Sequence, residues 1–270
     1  MKIFDTGHGK IHYYFKEAAN NYPTVLFFQG ATAANCYLGF KNIITALPQN
    51  YGILAIDQLG YGKSDVTKSD RTLNHIMDET KAIVNFENLK KVILFAHSLG
   101  GLYALGYVKK YAEQVIAVIG VEPVTGTADQ DADAFAETVK QEANEISQMR
   151  AHGGIPETDL REHINPYLDK EEYDAQLKIF RETLDNSNQV NEAAHVKESV
   201  QAIKNQLIPD KIPVLLFSRP ARSSEYENSE FKNTNEQTRI CYYGNSHFLH
   251  WTESKRVISE TNHFLKQIEN

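Results

Sequence analysis

The sequence predicts an α/β fold in which a mostly parallel sheet is covered by helices. Short runs of β-branched and aromatic residues alternate with amphipathic stretches of helical period, which is typical of crossover units on a parallel sheet. Several runs, such as residues 25–28 and 92–95, are apolar at consecutive positions. This pattern indicates strands that are buried on both faces rather than on one.

The same patterns divide the chain into a core and an insertion. Strands are predicted at residues 11–16, 24–28, 52–56, 91–95, 115–121, 213–217 and 239–243. Apolar residues recur every three or four positions between Leu73 and Val84 and between Val257 and Ile268, and predict core-facing helices. From Thr125 to Ile208 the strand pattern stops and polar helices are expected. We therefore expect a core of residues 1–124 and 209–270 with a helical insertion at residues 125–208.

Length and composition are those of a globular protein. The 270 residues suit one domain with an insertion, and 41% are hydrophobic and 23% charged. No apolar run reaches the roughly 18 residues that a membrane span needs, and the chain opens without an apolar leader, so a cytoplasmic protein without a membrane partner is expected. The formal net charge is -7 and no basic stripe is present, which argues against a nucleic-acid partner.

The cysteines and the charge of the insertion predict no special site. Cys36 and Cys241 lack paired spacing, so neither a zinc site nor a disulfide is expected, and both thiols are predicted to be buried. The insertion holds 17 of the 35 acidic and 8 of the 28 basic residues, a net charge of -9. A solvated helical face is the preferred interpretation of this charge, with an acidic recognition surface as the alternative.

A candidate nucleophile lies after the strand at residues 91–95. Ser98 follows that apolar run and precedes a helical stretch, with Ala96 two positions before it and Gly100 two positions after. Small residues are required there when a sharp strand-to-helix turn lifts a serine hydroxyl above the sheet. Ala96 departs from the usual G-x-S-x-G pattern but is still small. The segment therefore predicts a nucleophile elbow.

The order of strands, elbow, helical insertion and C-terminal histidine resembles the α/β-hydrolase family over nearly the whole chain. The segment FFQGA at residues 27–31 is similar to the family's oxyanion loop, with Gln29 in place of the usual histidine. The resemblance implies that the backbone N–H groups of Ala31 and Leu99 form an oxyanion hole. Because the donors are backbone groups, the replacement by Gln29 concerns loop geometry more than chemistry.

A second segment, DQLGYGKS at residues 57–64, resembles the family's D-x-x-G-x-G-x-S turn. This similarity implies a structural role for Asp57 in anchoring the turn. The end of the segment also matches the end of a phosphate-binding loop, but that loop requires a glycine where Asp57 stands. No nucleotide site is therefore expected.

The candidate general base lies in a third segment, GNSHFLHW at residues 244–251, which resembles the family's histidine loop. The family places its histidine just after a turn of small residues, and this favours His247 as the base. His250 is the alternative, and is expected either to begin the following helix or to line the pocket.

The acid of the triad has two candidates. The family commonly has an aspartate soon after the strand at residues 213–217, but the next segment reads SRPAR and its first acid is Glu225. Some family members take the acid from the end of the preceding strand, where Glu122 stands. Glu122 is preferred, although it is also suited to capping a helix or loop, and Glu225 remains open.

The resemblance implies a hydrolase that acts on a small carboxylic ester or a related acyl substrate. Ser98, His247 and Glu122 would act through an acyl-enzyme without a metal or organic cofactor, and a small-molecule substrate is the expected partner. Serine at position 98 argues against dehalogenase or epoxide hydrolase chemistry, which uses a carboxylate nucleophile in this family. The alternative is a ligand-binding protein of the same fold without useful turnover, which the ambiguous acid and Gln29 suggest.

Overall fold

The centre of the fold is one mixed sheet. A computed structural model describes residues 1–20, 22–31 and 33–269, apart from the side chains of residues 129 and 130. In this part of the chain eight strands follow the order β1-β2-β4-β3-β5-β6-β7-β8. The strands are β1 (Lys2–Asp5), β2 (Lys10–Lys16), β3 (Thr24–Phe28), β4 (Gly52–Asp57), β5 (Val92–His97), β6 (Val115–Val121), β7 (Val214–Ser218) and β8 (Arg239–Tyr242). The pairs β1/β2 and β2/β4 are antiparallel, and the others are parallel.

Helices cover both faces of this sheet and fill the long connection between β6 and β7. The helices are α1 (Cys36–Gly39), α2 (Lys41–Ile44), α3 (Leu73–Phe86), α4 (Gly100–Tyr111), α5 (Ala132–Ala151), α6 (Glu157–Leu160), α7 (Lys170–Thr183), α8 (Ser187–Ala194), α9 (Val196–Ile203), α10 (Ser223–Glu227), α11 (Leu249–Thr252) and α12 (Ser254–Ile268). No helix in the described ranges is both long and apolar enough to cross a bilayer.

The predicted fold class is confirmed. All seven predicted strands are present with ends within two residues of those expected, and the two predicted core-facing helices are α3 and α12. The prediction missed β1, which is short and mostly exposed and is held at the sheet edge by its pairing with β2.

The inner strands of the sheet have apolar residues at consecutive positions because both of their faces are buried. Every residue of β3, β4 and β5 is buried. Neighbouring side chains of a strand point to opposite faces, so Leu94 joins the core cluster that contains α3 and α4. Ile93 joins the cluster on the other face, where α12 packs. Each strand is therefore covered on both sides, as its sequence indicated.

The two cysteines differ in their surroundings. Cys36 begins α1 and is fully buried, with Sγ 3.6 Å from the Phe27 carbonyl oxygen. Burial raises the pKa of this thiol well above its ordinary value. Cys241 lies on β8 and is only half-buried. The expectation of two buried thiols is therefore correct for Cys36 and wrong for Cys241.

The two ends of the helical connection meet at Glu230. Its carboxylate accepts the backbone N–H groups of Gly126 at 2.9 Å and Asn205 at 3.2 Å. Its carbonyl oxygen accepts the N–H of Ile208 at 3.0 Å. One residue therefore holds the chain where it leaves the sheet after β6 and where it returns before β7.

The connection also packs on the core. Val200 and Ile203 of α9 belong to the same buried cluster as α4. On α8, the buried carboxylate of Glu192 accepts hydrogen bonds from the hydroxyl groups of Tyr61 and Tyr103. A separate apolar cluster, which includes Leu160 and Phe180, lies mostly within the connection and also contains Ala34 of the core.

Gly100 provides a test of how closely α4 approaches the sheet. A methyl group at this position would overlap the carbonyl oxygen of Phe28 in β3, whose backbone is fixed by β4 and β5 on either side. We therefore expect Gly100→Ala to destabilise the protein by about 1–3 kcal/mol, as overpacking does elsewhere. Thermal unfolding followed by circular dichroism measures the change.

Gly39 in α1 supplies the matched control, because a methyl group there would meet nothing within 4 Å. Gly39→Ala should leave the melting temperature unchanged or raise it slightly. Equal melting temperatures for the two variants would show that α4 is not packed against β3 as described.

Candidate active site

Ser98 lies at a strained turn between β5 and α4. Its φ is +53°, a left-handed value that a non-glycine residue adopts only when its surroundings hold it there. The Ser98 N–H donates to the Val121 carbonyl at 3.2 Å, and its carbonyl accepts the N–H groups of Gly101 at 2.9 Å and Val124 at 2.8 Å. Backbone bonds from both neighbouring segments therefore fix the turn, which has the geometry of a nucleophile elbow.

The loop after β3 passes directly over Ser98. A methyl group on Gly30 would lie 2.9 Å from Ser98 Cβ and 3.4 Å from Ser98 Oγ. Only a residue without a side chain permits this approach. Ala31 follows in the same loop and lines one cavity with Ser98, while Leu99 is buried directly before α4.

Asp57 joins the turn after β4 to the start of α1 by hydrogen bonds. Its carboxylate is buried and accepts hydrogen bonds from Asn35 Nδ2 at 2.5 Å and from the Cys36 N–H at 2.8 Å. Burial raises the pKa of Asp57 to about 7, although these hydrogen bonds act in the opposite direction. A methyl group on Gly62 would also overlap this carboxylate. The side chain therefore faces its own turn and the start of α1.

His247 lies between β8 and α11, and its imidazole is partly exposed. Its Nδ1 is 3.7 Å from Oε2 of Glu122, which directly follows β6. His247 also lines the cavity that Ser98 lines. The carboxyl ends of β5, β6 and β8 thus bring the serine, the carboxylate and the imidazole to the same edge of the sheet.

Glu122 is held as a carboxylate although it is fully buried. Oε1 accepts the Ser218 hydroxyl at 2.8 Å and the Arg219 N–H at 2.6 Å. Oε2 accepts Arg219 Nε at 2.9 Å and Arg222 Nη1 at 3.0 Å. Burial alone would raise the pKa of Glu122, but the nearby imidazole of His247 and hydrogen bonds from Arg219, Arg222 and Ser218 lower it well below its ordinary value. The group is therefore ionised at neutral pH.

Glu225, the other candidate acid, has different neighbours. It lies on α10 and accepts hydrogen bonds from Thr125 Oγ1 at 2.8 Å and from Arg222 Nη2 at 2.6 Å. Within the described part of the chain, no hydrogen bond or ion pair joins it to His247. Of the two acids, only Glu122 lies beside the imidazole.

Two further histidines surround His247. His97 donates from Nε2 to the His247 carbonyl oxygen at 3.1 Å, because a carbonyl can only accept. Burial lowers the pKa of His97 to about 3, and it lowers the pKa of His250 well below its ordinary value. Both rings are therefore neutral. His250 lies in the first turn of α11 and also lines the cavity. The two locations that the sequence suggested for it, a helix start and the pocket wall, are therefore the same place.

Ser98, His97, His247 and His250 line a cavity of about 240 Å³ between the sheet edge and the helical connection. Phe135, His163 and Gln176 reach it from the connection, and the rest of its lining comes from the core. The lining residues are Gln29, Gly30, Ala31, Ala33, Ala34, Asn35, Gly39, Phe40, His97, Ser98, Phe135, His163, Gln176, His247, Phe248, His250 and Trp251.

Two features of the site were not evident from the sequence. The amide of Gln29 is buried, and neither of its polar atoms has a hydrogen-bond partner among the described residues. Arg219 and Arg222 were noted only because no acid stood there, yet they hold Glu122 in place. Their position directly after β7, next to an acid that follows β6, is a signal from which this role could have been inferred.

The fold and the sequence relate this chain to known proteins. A family model described as "alpha/beta hydrolase fold" matches residues 23–150. The structure is similar to Smu.1393c from Streptococcus mutans, with a TM-score of 0.75 and 23% identity over 98% of this chain and 97% of that one. It is also similar to a thermophilic esterase from Thermogutta terrifontis, with a TM-score of 0.66 and 16% identity over 98% and 96% of the two chains. The chain has the α/β-hydrolase fold.

Curated relatives match over very different shares of the chain. A putative esterase/lipase from Haemophilus influenzae is 26% identical over 92% of this chain and 84% of that protein. The 2-hydroxy-6-oxo-6-(2'-aminophenyl)hexa-2,4-dienoic acid hydrolase of Metapseudomonas resinovorans is 31% identical over 41% of this chain and 39% of its own length. The chain spans between 28% and 39% of the first three curated relatives that it matches.

Proposed function

We propose that the protein is a serine hydrolase that cleaves a small carboxylic ester or a related acyl substrate. The supporting observation is that Ser98 and His247 line one cavity, with the ionised carboxylate of Glu122 3.7 Å from His247 Nδ1. A hydroxyl, an imidazole and a carboxylate in this relation are suited to nucleophilic attack on a carbonyl carbon. The two curated relatives described above are a hydrolase and a putative esterase/lipase, which agrees with this proposal.

The proposed reaction proceeds through an acyl-enzyme. His247 takes the proton of the Ser98 hydroxyl as Oγ attacks the carbonyl carbon of the ester. The bond to the leaving alcohol breaks, the alcohol takes the proton from His247, and the acyl group remains on Ser98. His247 then removes a proton from water as the water oxygen attacks the carbonyl carbon of the acyl-enzyme. The bond to Ser98 Oγ breaks, Oγ takes the proton back from His247, and the acid is released. Glu122 orients the imidazole and stabilises its cation in both steps.

The oxyanion of each tetrahedral intermediate would be bound by the backbone N–H groups of Ala31 and Leu99. This assignment follows from the resemblance to the family, and the close approach of the Gly30 loop to Ser98 supports it. Loss of one such donor costs roughly 3–4 kcal/mol of transition-state stabilisation in comparable enzymes.

We also propose that residues 125–208 form a cap that selects the substrate. Three of these residues, Phe135, His163 and Gln176, line the cavity that Ser98 lines. Sites for drug-sized ligands have volumes of about 300–1,000 Å³. The cavity of about 240 Å³ is smaller than this range and favours a small acyl group next to the serine.

A ligand-binding protein without turnover is the second candidate. The observation that favours it is Gln29, whose buried amide has no partner among the described residues and lines the cavity beside Ser98. Such an amide would bind a polar group of a ligand whether or not a reaction followed. Labelling by a fluorophosphonate separates the two functions, because it requires an activated serine.

The first prediction for this function concerns Ser98. Ser98→Ala should abolish both fluorophosphonate labelling and the hydrolysis of short p-nitrophenyl esters, since loss of the nucleophile costs about 10⁶-fold in kcat in a comparable triad. Mass spectrometry of the labelled protein and ester hydrolysis measure the two effects. Ser147→Ala, which removes an exposed serine of α5, should change neither. Activity above a few percent in Ser98→Ala would contradict the assignment.

A second prediction decides between the two acids. Glu122→Gln should lower kcat by orders of magnitude with little change in KM, because an amide cannot stabilise the imidazolium; the corresponding change costs about 10⁴-fold in the chymotrypsin-type triad. Glu225→Gln is the matched control, since it also removes a carboxylate partner of Arg222, and should stay within a few-fold of wild type. Circular dichroism checks that both variants fold. The reverse result would assign the acid to Glu225.

A further inference from the structure

A second cavity lies inside the helical connection and adjoins the candidate active site. Its volume is about 410 Å³, and it shares Phe135 and His163 with the cavity of Ser98. We call it the cap cavity and define it by its lining residues. These are Phe135, Thr138, Val139, Glu142, Glu145, Ile146, Met149, Ile155, Asp159, Leu160, His163, Phe180, Leu184 and Asp185.

The lining of the cap cavity combines apolar side chains with charge of a single sign. Four carboxylates, those of Glu142, Glu145, Asp159 and Asp185, lie among aliphatic and aromatic residues. No lysine or arginine is among the lining residues that the structure describes. The resulting negative potential attracts cations, and the apolar remainder favours a ligand with a hydrocarbon body.

Asp185 distinguishes this cavity from an ordinary solvated acidic surface. The residue is only 7% exposed, and its Oδ1 has no hydrogen-bond partner among the described residues. A buried carboxylate without a partner is unfavourable, and such groups are normally paired. The pKa of Asp185 is raised to about 6, mainly by burial and secondly by the charge of Glu142, while Arg150 acts in the opposite direction.

Arg150 does not supply the missing partner. Its guanidinium donates to the backbone carbonyl oxygens of Arg181 at 2.9 Å and Leu184 at 2.5 Å, and no ion pair joins it to Asp185 in the described ranges. The Asp185 backbone N–H is bound to Gln189 Oε1 at 2.7 Å. The backbone is thus fixed, while the carboxylate remains available to a ligand.

We propose that the cap cavity binds an organic ammonium group carried by the part of the substrate remote from the scissile bond. This proposal rests on the proposed hydrolase function and extends it to substrates with a hydrophobic, cationic tail. A metal ion is a poorer occupant, because no group of three or more potential ligands in the described residues is placed to hold one. Asp185 would contact the ammonium group, and Glu142, Glu145 and Asp159 would add to the negative potential around it.

Binding can be tested without catalysis, using hexylammonium and hexan-1-ol, which share a hydrocarbon chain but differ in charge. Calorimetry should show that hexylammonium binds the wild-type protein at least about tenfold more tightly, as expected for a hydrogen bond to a charged group. Asp185→Asn should remove most of this difference and leave the affinity for hexan-1-ol unchanged. The variant should fold, because φ of +52° at this position is one that asparagine tolerates.

Glu137→Gln is the matched control, since it removes an exposed carboxylate of α5 that lies outside the cap cavity. It should leave hexylammonium binding unchanged. Equal binding of the two probes to wild type, or no effect of Asp185→Asn, would overturn the proposal, as would an equal loss in Glu137→Gln.

A kinetic comparison then connects the cavity to the reaction. Wild type should hydrolyse p-nitrophenyl 8-aminooctanoate with a higher kcat/KM than p-nitrophenyl octanoate, and Asp185→Asn should reduce this ratio about tenfold. An unchanged ratio would contradict the role in substrate selection. Hydrolysis that persists in Ser98→Ala would instead contradict the proposed function, while the binding experiment would still decide the cap cavity.

Discussion

The candidate site depends on the way the ends of β5 and β6 are joined. The Ser98 backbone bonds to Val121 and Val124 on either side of Glu122, and both Ser98 and Glu122 have positive φ values. A non-glycine residue in such a conformation costs about 1–3 kcal/mol, so two of them side by side persist only because the surrounding sheet determines them. The same backbone bonds that accommodate this strain fix the serine and the carboxylate relative to one another.

Much of the sheet was predictable because its strands are buried on both faces. The runs of consecutive apolar residues that became β3, β5 and β7 carry a signal that does not depend on the partner strand. The strand β1 carries no such signal, since its four residues are mostly exposed and it forms by pairing with β2. Strand propensity is weak at such an edge, where a long-range contact decides the structure.

The site was predictable to a different degree at each position. Ser98 and His247 lie in local motifs, so their positions at the sheet edge followed from the sequence. The choice between Glu122 and Glu225 did not, because it depends on how α10 packs after β7. The orientation of Gln29 and the burial of the Asp185 carboxylate likewise arise from tertiary contacts that leave no local pattern.

The contacts of Glu230 have a consequence for how this protein diverges from its relatives. Because one residue holds both ends of the helical connection, the two ends are neighbours in space although about eighty residues separate them in sequence. Lengthening or shortening the chain between α5 and α8 does not require the strands on either side to move. The length of this segment can therefore change in evolution while the sheet that carries Ser98 and Glu122 keeps its structure.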